Sequence, residues 1–490
     1  MSQMRKVKLP RLMIAAPHGR SGKSMVSLGL LGAWKRRGKQ VVPFKKGPDF
    51  IDSAWSTAAS GIDCRNLDLF LMQEQQVRQR FNYYAAQGDL SLLEGNMGLY
   101  DGMDMIGSGS TAQMAKLLKA PVILVLDVTR MTRSAAASVL GMLHFDPELK
   151  IGGIVLNKVA GSRQESLIRS CINHYCGVPV LGAVPKVREG LLEERHLGLV
   201  PPVENPQAIP RLEFVADMVE KYVDMAALEK LAATAPPINV HGGACADIEQ
   251  SVSLKIGVIR DKAFHFYYPD NLEALQRAGA ELIWLNALDD SALPEIDGLY
   301  IGGGFPEAHA EQLANNKSFR VSVKAAAEVG MPMYAECGGL VYLGKGLYVE
   351  GKRYPMAGVF PVDFEMKAKP QGHGYMELEV SKTNPYFTLG MSLRGHEFHY
   401  SRPILKGKVD INHVFNVRRG HGFSNEKDGL LYKNVFASYA HFHAATWSGW
   451  ADNLIKAANQ YRRKKVLANQ KPWDYNKDYA DILGIYSLKA

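Results

Sequence analysis

Two α/β domains in tandem are what the 490-residue sequence predicts, the first a doubly wound parallel sheet. Three observations carry this reading. Short runs that are apolar throughout alternate with helix-period patterns, as expected of parallel strands buried on both faces and joined by crossover helices. The rhythm breaks once, at the Ala-, Pro- and Gly-rich stretch 232–250, and then restarts. Each half also has a strand-like run ending in a tight glycine-bearing turn before a helical pattern, at 17–24 and at 337–339. The expected boundaries are 1–235 for the first domain, 236–252 for a linker, 253–452 for the second domain and 453–490 for a C-terminal extension.

Composition narrows the class. The chain is 47% hydrophobic and 22% charged, in the ordinary globular range. No apolar run reaches membrane length, and the charged start MSQMRKVKLPR lacks the core of a signal peptide. Five cysteines are scattered without a CxxC pair, which argues against a disulfide framework or structural zinc. A reducing, cytoplasmic setting without a membrane partner is expected. A net charge of +9 suggests an anionic ligand, but apart from Arg462–Lys465 the basic residues are dispersed, so nucleic acid is not expected.

In chain order, RLMIAA (11–16) reads as a buried strand, PHGRSGKS (17–24) as a loop, and Val26, Leu28, Leu30, Leu31 and Trp34 as the apolar side of a helix. Strand, glycine loop, Lys-Ser and helix form a phosphate cradle. In it Gly22 belongs to the nucleotide-binding turn, Lys23 reaches the β/γ oxygens and Ser24 holds Mg²⁺. The GxxxxGK[ST] pattern is incomplete, because Pro17 stands where its first glycine should be. A second strand leads into KKGPDFID (45–52), at the strand end where such sheets bind ligands. Lys45 and Lys46 there suit phosphates or carboxylates, and Asp49 and Asp52 suit Mg²⁺ or a water network. A third strand ends at Glu94, the place for a Walker-B-like metal ligand, before the glycine-rich GNMGLYDG (95–102). Asn157 and Lys158 end a later strand, within reach of a base or ribose. The charged EERHLG (193–198) reads as an exposed loop without assignable chemistry.

In the second half, apolar runs at 255–260, 282–286 and 298–301 precede GGGFPE (302–307), a helical pattern to Val329, and MPMYAECGGLVYL (331–343). Cys337 sits on the turn between a strand and a helix, where backbone N–H groups can receive an oxyanion and the helix N-terminus should favour thiolate. Gly303, Gly304 and Gly338 are the candidates for that oxyanion or for substrate amide contacts. Taken alone, the segment fits an inert buried cysteine equally well. From about Tyr354 the pattern is strand-rich, ending in NVFASYAHFHAA (434–445), whose alternation puts His441 and His443 on one face. Either could be the base that activates Cys337.

Seven motifs in collinear order, FKKGPDFID, LLEGNMGLYDG, ERHLGL, GGGFPE, AECGGLVYL, GHEFHYS and ASYAHFH, resemble the cobyrinic acid a,c-diamide synthase family. The resemblance implies a dethiobiotin-synthetase-like ATPase domain joined to a class I, triad-type glutaminase domain. It implies a ligase that amidates tetrapyrrole side-chain carboxylates with ATP, Mg²⁺ and L-glutamine. By the same resemblance Cys337 is the nucleophile, His441 its base, and Lys23, Ser24, Lys45, Asp49 and Glu94 belong to the ATP–Mg²⁺ site, with Asn157 nearby. The chain departs from the family where Ala16-Pro17 and Arg20 replace the loop's Gly-Thr and a glycine, and at Lys46 and Trp55. Arg20, Lys46, Tyr100 and Asp101 are therefore the candidates for contact with the polycarboxylate substrate. Siroheme or (nickel-)sirohydrochlorin is the alternative substrate within the class, and a partitioning or metallochaperone-type ATPase with an inert appended module is the alternative outside it. A homodimer is a further expectation.

Overall fold

The computed structural model describes residues 4–187, 194–195, 198–241, 254–405, 411–447 and 449–469. Glu193, His196 and Leu197 of the EERHLG segment, the centre of the expected linker and the extension beyond Asn469 lie outside the described residues. Where a loop was expected, Glu194–Arg195 pairs antiparallel with Gly198–Leu199.

Seven strands build the first sheet, in the order Arg65–Leu67, Val41–Lys46, Leu90–Glu94, Arg11–Ala15, Val122–Asp127, Ile151–Val159, Val180–Pro185, all parallel. The order reverses beside the first strand, so the loops after Ala15, Lys46 and Glu94 open side by side at the carboxyl edge. VILVLD (122–127) is central and almost wholly buried, as its unbroken apolar run requires. Helix Lys23–Arg36 packs on helix Ala208–Tyr222, and Gly29 makes this close approach possible, since a Cβ there would stand 2.6 Å from the Val215 carbonyl oxygen.

The second sheet has nine strands. Five are parallel, in the order Ala280–Leu285, Leu254–Ile259, Gly298–Ile301, Met333–Glu336, Val435–Ser438. Lys427–Tyr432, Asn412–Arg419, Gly372–Val380 and Ser392–His399 extend it antiparallel. This is the strand-rich region expected after Tyr354.

Three segments differ from the sequence reading. Ile238–His241, assigned to a linker, is a strand paired antiparallel with Met4–Val7. Just before it, the Pro236 carbonyl accepts from the buried Arg11 guanidinium at 2.8 Å, tying this segment to the first domain. The helix expected to run unbroken to Val329 is a short 3₁₀ turn and two helices, Ala310–Asn315 and Lys317–Glu328, because the Asn316 side chain caps the second by accepting from Phe319 N–H. Part of the expected extension belongs to the second domain, since helix Trp450–Asn469 buries Leu454 and Ala458 against strands Leu254–Ile259 and Gly298–Ile301. Lys and Arg on its outer face mask that apolar stripe in the sequence.

The two halves meet through charge and rings. Arg65 and Arg80 of the first pair with Asp270 of the second, and Arg65 also with Glu273. The Tyr84 hydroxyl donates to Glu273 at 2.6 Å. Asp270 is 1% exposed, so the pairing satisfies a carboxylate that would otherwise be costly to bury.

Candidate active site

Cys337 occupies the turn between strand Met333–Glu336 and helix Gly338–Leu343 at φ 47° and ψ −99°, backbone that a non-glycine residue rarely adopts. The surroundings hold it there: its N–H donates to Ser438 O at 2.7 Å, and the following helix is wholly buried. Both glycines after it are needed for fit. A Cβ on Gly339 would stand 2.6 Å from the Ile301 carbonyl oxygen, and one on Gly338 would stand 3.1 Å from Gly304 N. The GGG turn and the Cys337 turn are therefore neighbours, with Gly304 N–H beside the helix start.

The thiolate expectation is corrected. Burial pushes the Cys337 thiol up, and the carboxylates of Glu307, Glu336 and Glu397 add to the effect. One short helix N-terminus does not offset a site enclosed and ringed with carboxylates. The space beside Cys337, walled by Gly304, Glu307, Met366, Phe398 and Tyr400, is only about 30 Å³, room for about one water.

The histidine pair also separates. The strand ends at Ser438, and the chain then turns, so His441 and His443 do not share a face. His443 packs tilted on Tyr268, lies 3.8 Å from Asp270 and belongs to the domain joint. Burial pushes its pKa down to about 3. His441 lies against Glu336, the residue before Cys337, and against Gly303 of the neighbouring turn. Its Nδ1 is 3.2 Å from Glu336 Oε2, and a Cβ on Gly303 would stand 2.5 Å from its Cε1 and 3.2 Å from Nε2. Parallel pairing of Glu336 with Ser438 creates this arrangement by bringing the end of one strand against the turn that carries His441. Asp428 fixes that turn, accepting from Ser438 Oγ at 2.8 Å and from Tyr439 and Ala440 N–H. The described hydrogen bonds include none between Cys337 and His441; the thiol lies 3.8 Å from Phe398 O.

Sequence reasoning missed Glu336 and Asp428. Glu336 had a visible signal, a carboxylate placed immediately before the cysteine in an otherwise apolar strand. Asp428 had none, because its partners are set by strand pairing far along the chain.

At the edge of the first sheet, Lys23 Nζ donates to Met97 O at 2.7 Å and His18 O at 3.3 Å, and Ser24 Oγ donates to Glu94 Oε1 at 2.8 Å. Burial lowers the pKa of Lys23. Lys45 donates to Asp52 and, at 2.8 Å, to Glu94. Burial disfavours the Lys45 ammonium, but the two carboxylates outweigh it and hold the group above the usual lysine value. Burial, with the Asp52 charge beside it, pushes Asp49 up to about 7.

Residues chosen from the P-loop pattern are distributed around this cluster. Gly22 (φ 90°) sits on Asn157, whose amide nitrogen a Cβ would meet at 2.0 Å. Asn157 donates to Ser21 O at 2.9 Å, so it supports the loop from beneath. Arg20 adopts φ 59°, the conformation of the glycine it replaces, and points into solvent. Lys46 is buried, and its pKa is lowered by that burial. Asp101 accepts from Gly98 N–H at 2.8 Å and so shapes the loop over Lys23. Tyr100 does not converge: its hydroxyl donates to Met142 O and its ring packs on Phe145. Trp55 is a core residue, donating to Val200 O at 3.0 Å.

Among the described residues no three His, Cys, Asp or Glu side chains form a ready metal cage. A magnesium site still fits, because Mg²⁺ retains waters and takes one or two carboxylates beside substrate phosphates. Glu94 Oε2, buried and without a partner, is an oxygen available to it next to Ser24.

Between the two clusters lies a cavity of about 380 Å³, walled by Asp49, Phe50, Asn96 and Met97 from one side and by Phe266, Tyr375, His396, Phe398 and His441 from the other. Among the described residues no helix is long and apolar enough to cross a membrane.

Comparison with known proteins agrees with both halves. Residues 12–198 match the CobQ/CobB/MinD/ParA nucleotide-binding domain, and residues 255–447 match the CobB/CobQ-like glutamine amidotransferase domain. The second match removes the reading of an ATPase with an inert appended module. The chain is 43% identical to the cobyrinate a,c-diamide synthase of Magnetococcus marinus, over 92% of its own length and 97% of the relative's. It is 40% identical to that of Archaeoglobus fulgidus, over 92% and 98%. With that of Caldanaerobacter subterraneus subsp. tengcongensis it shares 38% identity over 92% and 99%. A nucleotide-binding domain and a glutamine amidotransferase domain, in one chain that aligns end to end with these enzymes, place it in the cobyrinate a,c-diamide synthase family.

Proposed function

We propose that the chain uses ATP, Mg²⁺ and glutamine to convert the a and c acetate side chains of cobyrinate to carboxamides. Domain limits of 1–235 and 253–452 accompany this reading, with strand Ile238–His241 joining the first and helix Trp450–Asn469 completing the second. The names of the relatives favour cobyrinate over siroheme or sirohydrochlorin.

Cys337 attacks the glutamine amide carbon. The thiol is the resting form, since burial disfavours the thiolate, so its proton must leave as the bond forms. His441 accepts it and passes it to the departing nitrogen. Glu336, at His441 Nδ1, holds the ring so that Nε2 is the working nitrogen. Backbone N–H groups at Gly304 and Gly338 stabilise the oxyanion. Water then releases glutamate from the thioester.

At the other site ATP, with Mg²⁺ at Ser24 and Glu94, supplies the phosphoryl group that turns a carboxylate into an acyl phosphate with a good leaving group. Lys23 and Lys45 neutralise phosphate charge, and Asp49 and Asp52 order the loop. Arg20, exposed on the loop, and Lys46 are the basic side chains this reading offers to the substrate's remaining carboxylates. The observation that carries this scheme is the cavity lined by both His441 and Asp49, which sets the two sites facing one space. Replacing Cys337 with Ala tests it: amidation from glutamine should vanish while amidation from added ammonia persists. Loss of both would contradict the two-site reading.

A further inference from the structure

Phe50 is the one side chain in the nucleotide-site loop whose ring lies directly against the glutaminase histidine. Along the chain it separates Asp49 from the start of helix Ile51–Ser60, and the loop is closed across it by Asp52 N–H donating to Asp49 Oδ1 at 2.8 Å. Its ring meets four rings of the other domain. It stacks on Phe266 at 5.1 Å between centroids, tilts on Tyr268 at 4.4 Å and on His396 at 5.6 Å, and stands edge-on to His441 at 5.1 Å.

His441 is held on its other sides by Glu336 at Nδ1, by the Gly303 backbone at Cε1, and by reciprocal backbone bonds with His396. Phe50 bounds it on the cavity side. The loop that presents Phe50 is anchored by bonds that a bound nucleotide must disturb. Lys45 divides its ammonium between Asp52 and Glu94, and Glu94 also accepts from Ser24. Phosphate oxygens arriving at Lys45 and a cation arriving at Glu94 compete for those same atoms, so Asp52 and the turn holding Phe50 must readjust. Packed aromatic contacts pass such a displacement on, because close-packed interiors do not absorb it by compression. The space at Cys337 is narrow, about 30 Å³, so the position of its wall bears on how glutamine meets the thiol. Phe266 lines both that pocket and the larger cavity, and it is the ring on which Phe50 stacks.

We infer that Phe50 is a positioning residue through which occupation of the nucleotide site sets His441 and Phe266, and thereby controls glutamine hydrolysis. This rests on the amidotransferase function proposed above. Phe50 touches neither the thiol nor the phosphates; it acts through its two neighbours on one side and two rings on the other.

The test uses the full chain and follows glutamate release at varied glutamine, with and without the non-hydrolysable analogue AMP-PNP plus Mg²⁺. The unsubstituted chain should change its glutaminase kcat/KM by roughly fivefold or more on nucleotide binding, the lower end of ordinary allosteric coupling. Phe50→Ala should still bind AMP-PNP, but its glutamine hydrolysis, at whatever basal level, should no longer respond to the nucleotide, and Phe50→Tyr should restore the response. An unaltered response in Phe50→Ala overturns the inference. A native chain whose hydrolysis is indifferent to nucleotide overturns it too, while leaving the amidotransferase function standing. A native chain that never releases glutamate overturns both. Should the Ala variant fail to fold, Phe50→Leu keeps an apolar side chain of similar bulk without the ring, and carries the same expectation.

Discussion

Replacing Glu336 with Gln removes a single negative charge from a buried point of the glutaminase site. The carboxylate is 1% exposed and lies 3.2 Å from His441 Nδ1, with Phe442 N–H 3.4 Å from its other oxygen. It therefore fixes which ring nitrogen carries the proton, and it stabilises the imidazolium that forms when the thiol gives up its proton. A hydrogen bond to a charged group contributes about 1.5–3 kcal/mol. With each 1.36 kcal/mol of barrier amounting to about tenfold in rate, the substitution should lower glutaminase kcat by about 10- to 150-fold. The KM for glutamine should change little, because Glu336 faces the histidine and not the pocket. Glutamate release gives kcat and KM, and amidation from added ammonia serves as the control for the intact second site. The reasoning is refuted if kcat equals that of the native chain, or if ammonia-dependent amidation falls in parallel.

Lys23→Ala should abolish amidation with either nitrogen source, read as loss of product, while basal glutamate release continues. Gly303→Ala should cost glutaminase activity, because the new methyl would stand 2.5 Å from His441 Cε1; overpacking of about 1–3 kcal/mol corresponds to about 5- to 150-fold in kcat. His265 lies near Glu204 and His309, and burial pushes its pKa down to about 4. It stays neutral in the folded chain while the unfolded chain protonates below about 6.5, so its contribution is intact above that pH and is lost as pH falls toward 4. Tm followed from pH 7 to pH 4 should fall less steeply in His265→Asn, by up to one bound proton, or about 1.4 kcal/mol per pH unit; an unchanged slope would contradict the burial argument.

The parts legible in sequence were those set by local pattern. Buried parallel strands announce themselves as unbroken apolar runs, and the loops after Ala15, Lys46 and Glu94 gather at one sheet edge as strand order requires. The elbow at Cys337 was legible from its two glycines. What stayed hidden depends on distant partners. The state of the Cys337 thiol follows first from burial and then from nearby carboxylates such as Glu307 and Glu397, which no spacing reveals. The divergence of His441 and His443 follows from the chain turning after Ser438, where the alternating pattern continued to suggest a strand. Tyr100 sits in a loop full of candidate ligands, yet Phe145 and Met142 of a later helix claim its ring and hydroxyl. Phe50 carries no signal of its own in KKGPDFID, and its packing on His441 exists only because the two domains meet there.

The central claim is that nitrogen released at Cys337 reaches a carboxylate activated at the nucleotide site. Mass spectrometry of cobyrinate incubated with the chain, ATP, Mg²⁺ and amide-labelled glutamine, in the presence of unlabelled ammonium, tests it most directly. The account predicts one or two labelled carboxamides on the macrocycle, with little dilution by the ammonium. Unconverted cobyrinate, or product carrying only unlabelled nitrogen, would contradict it.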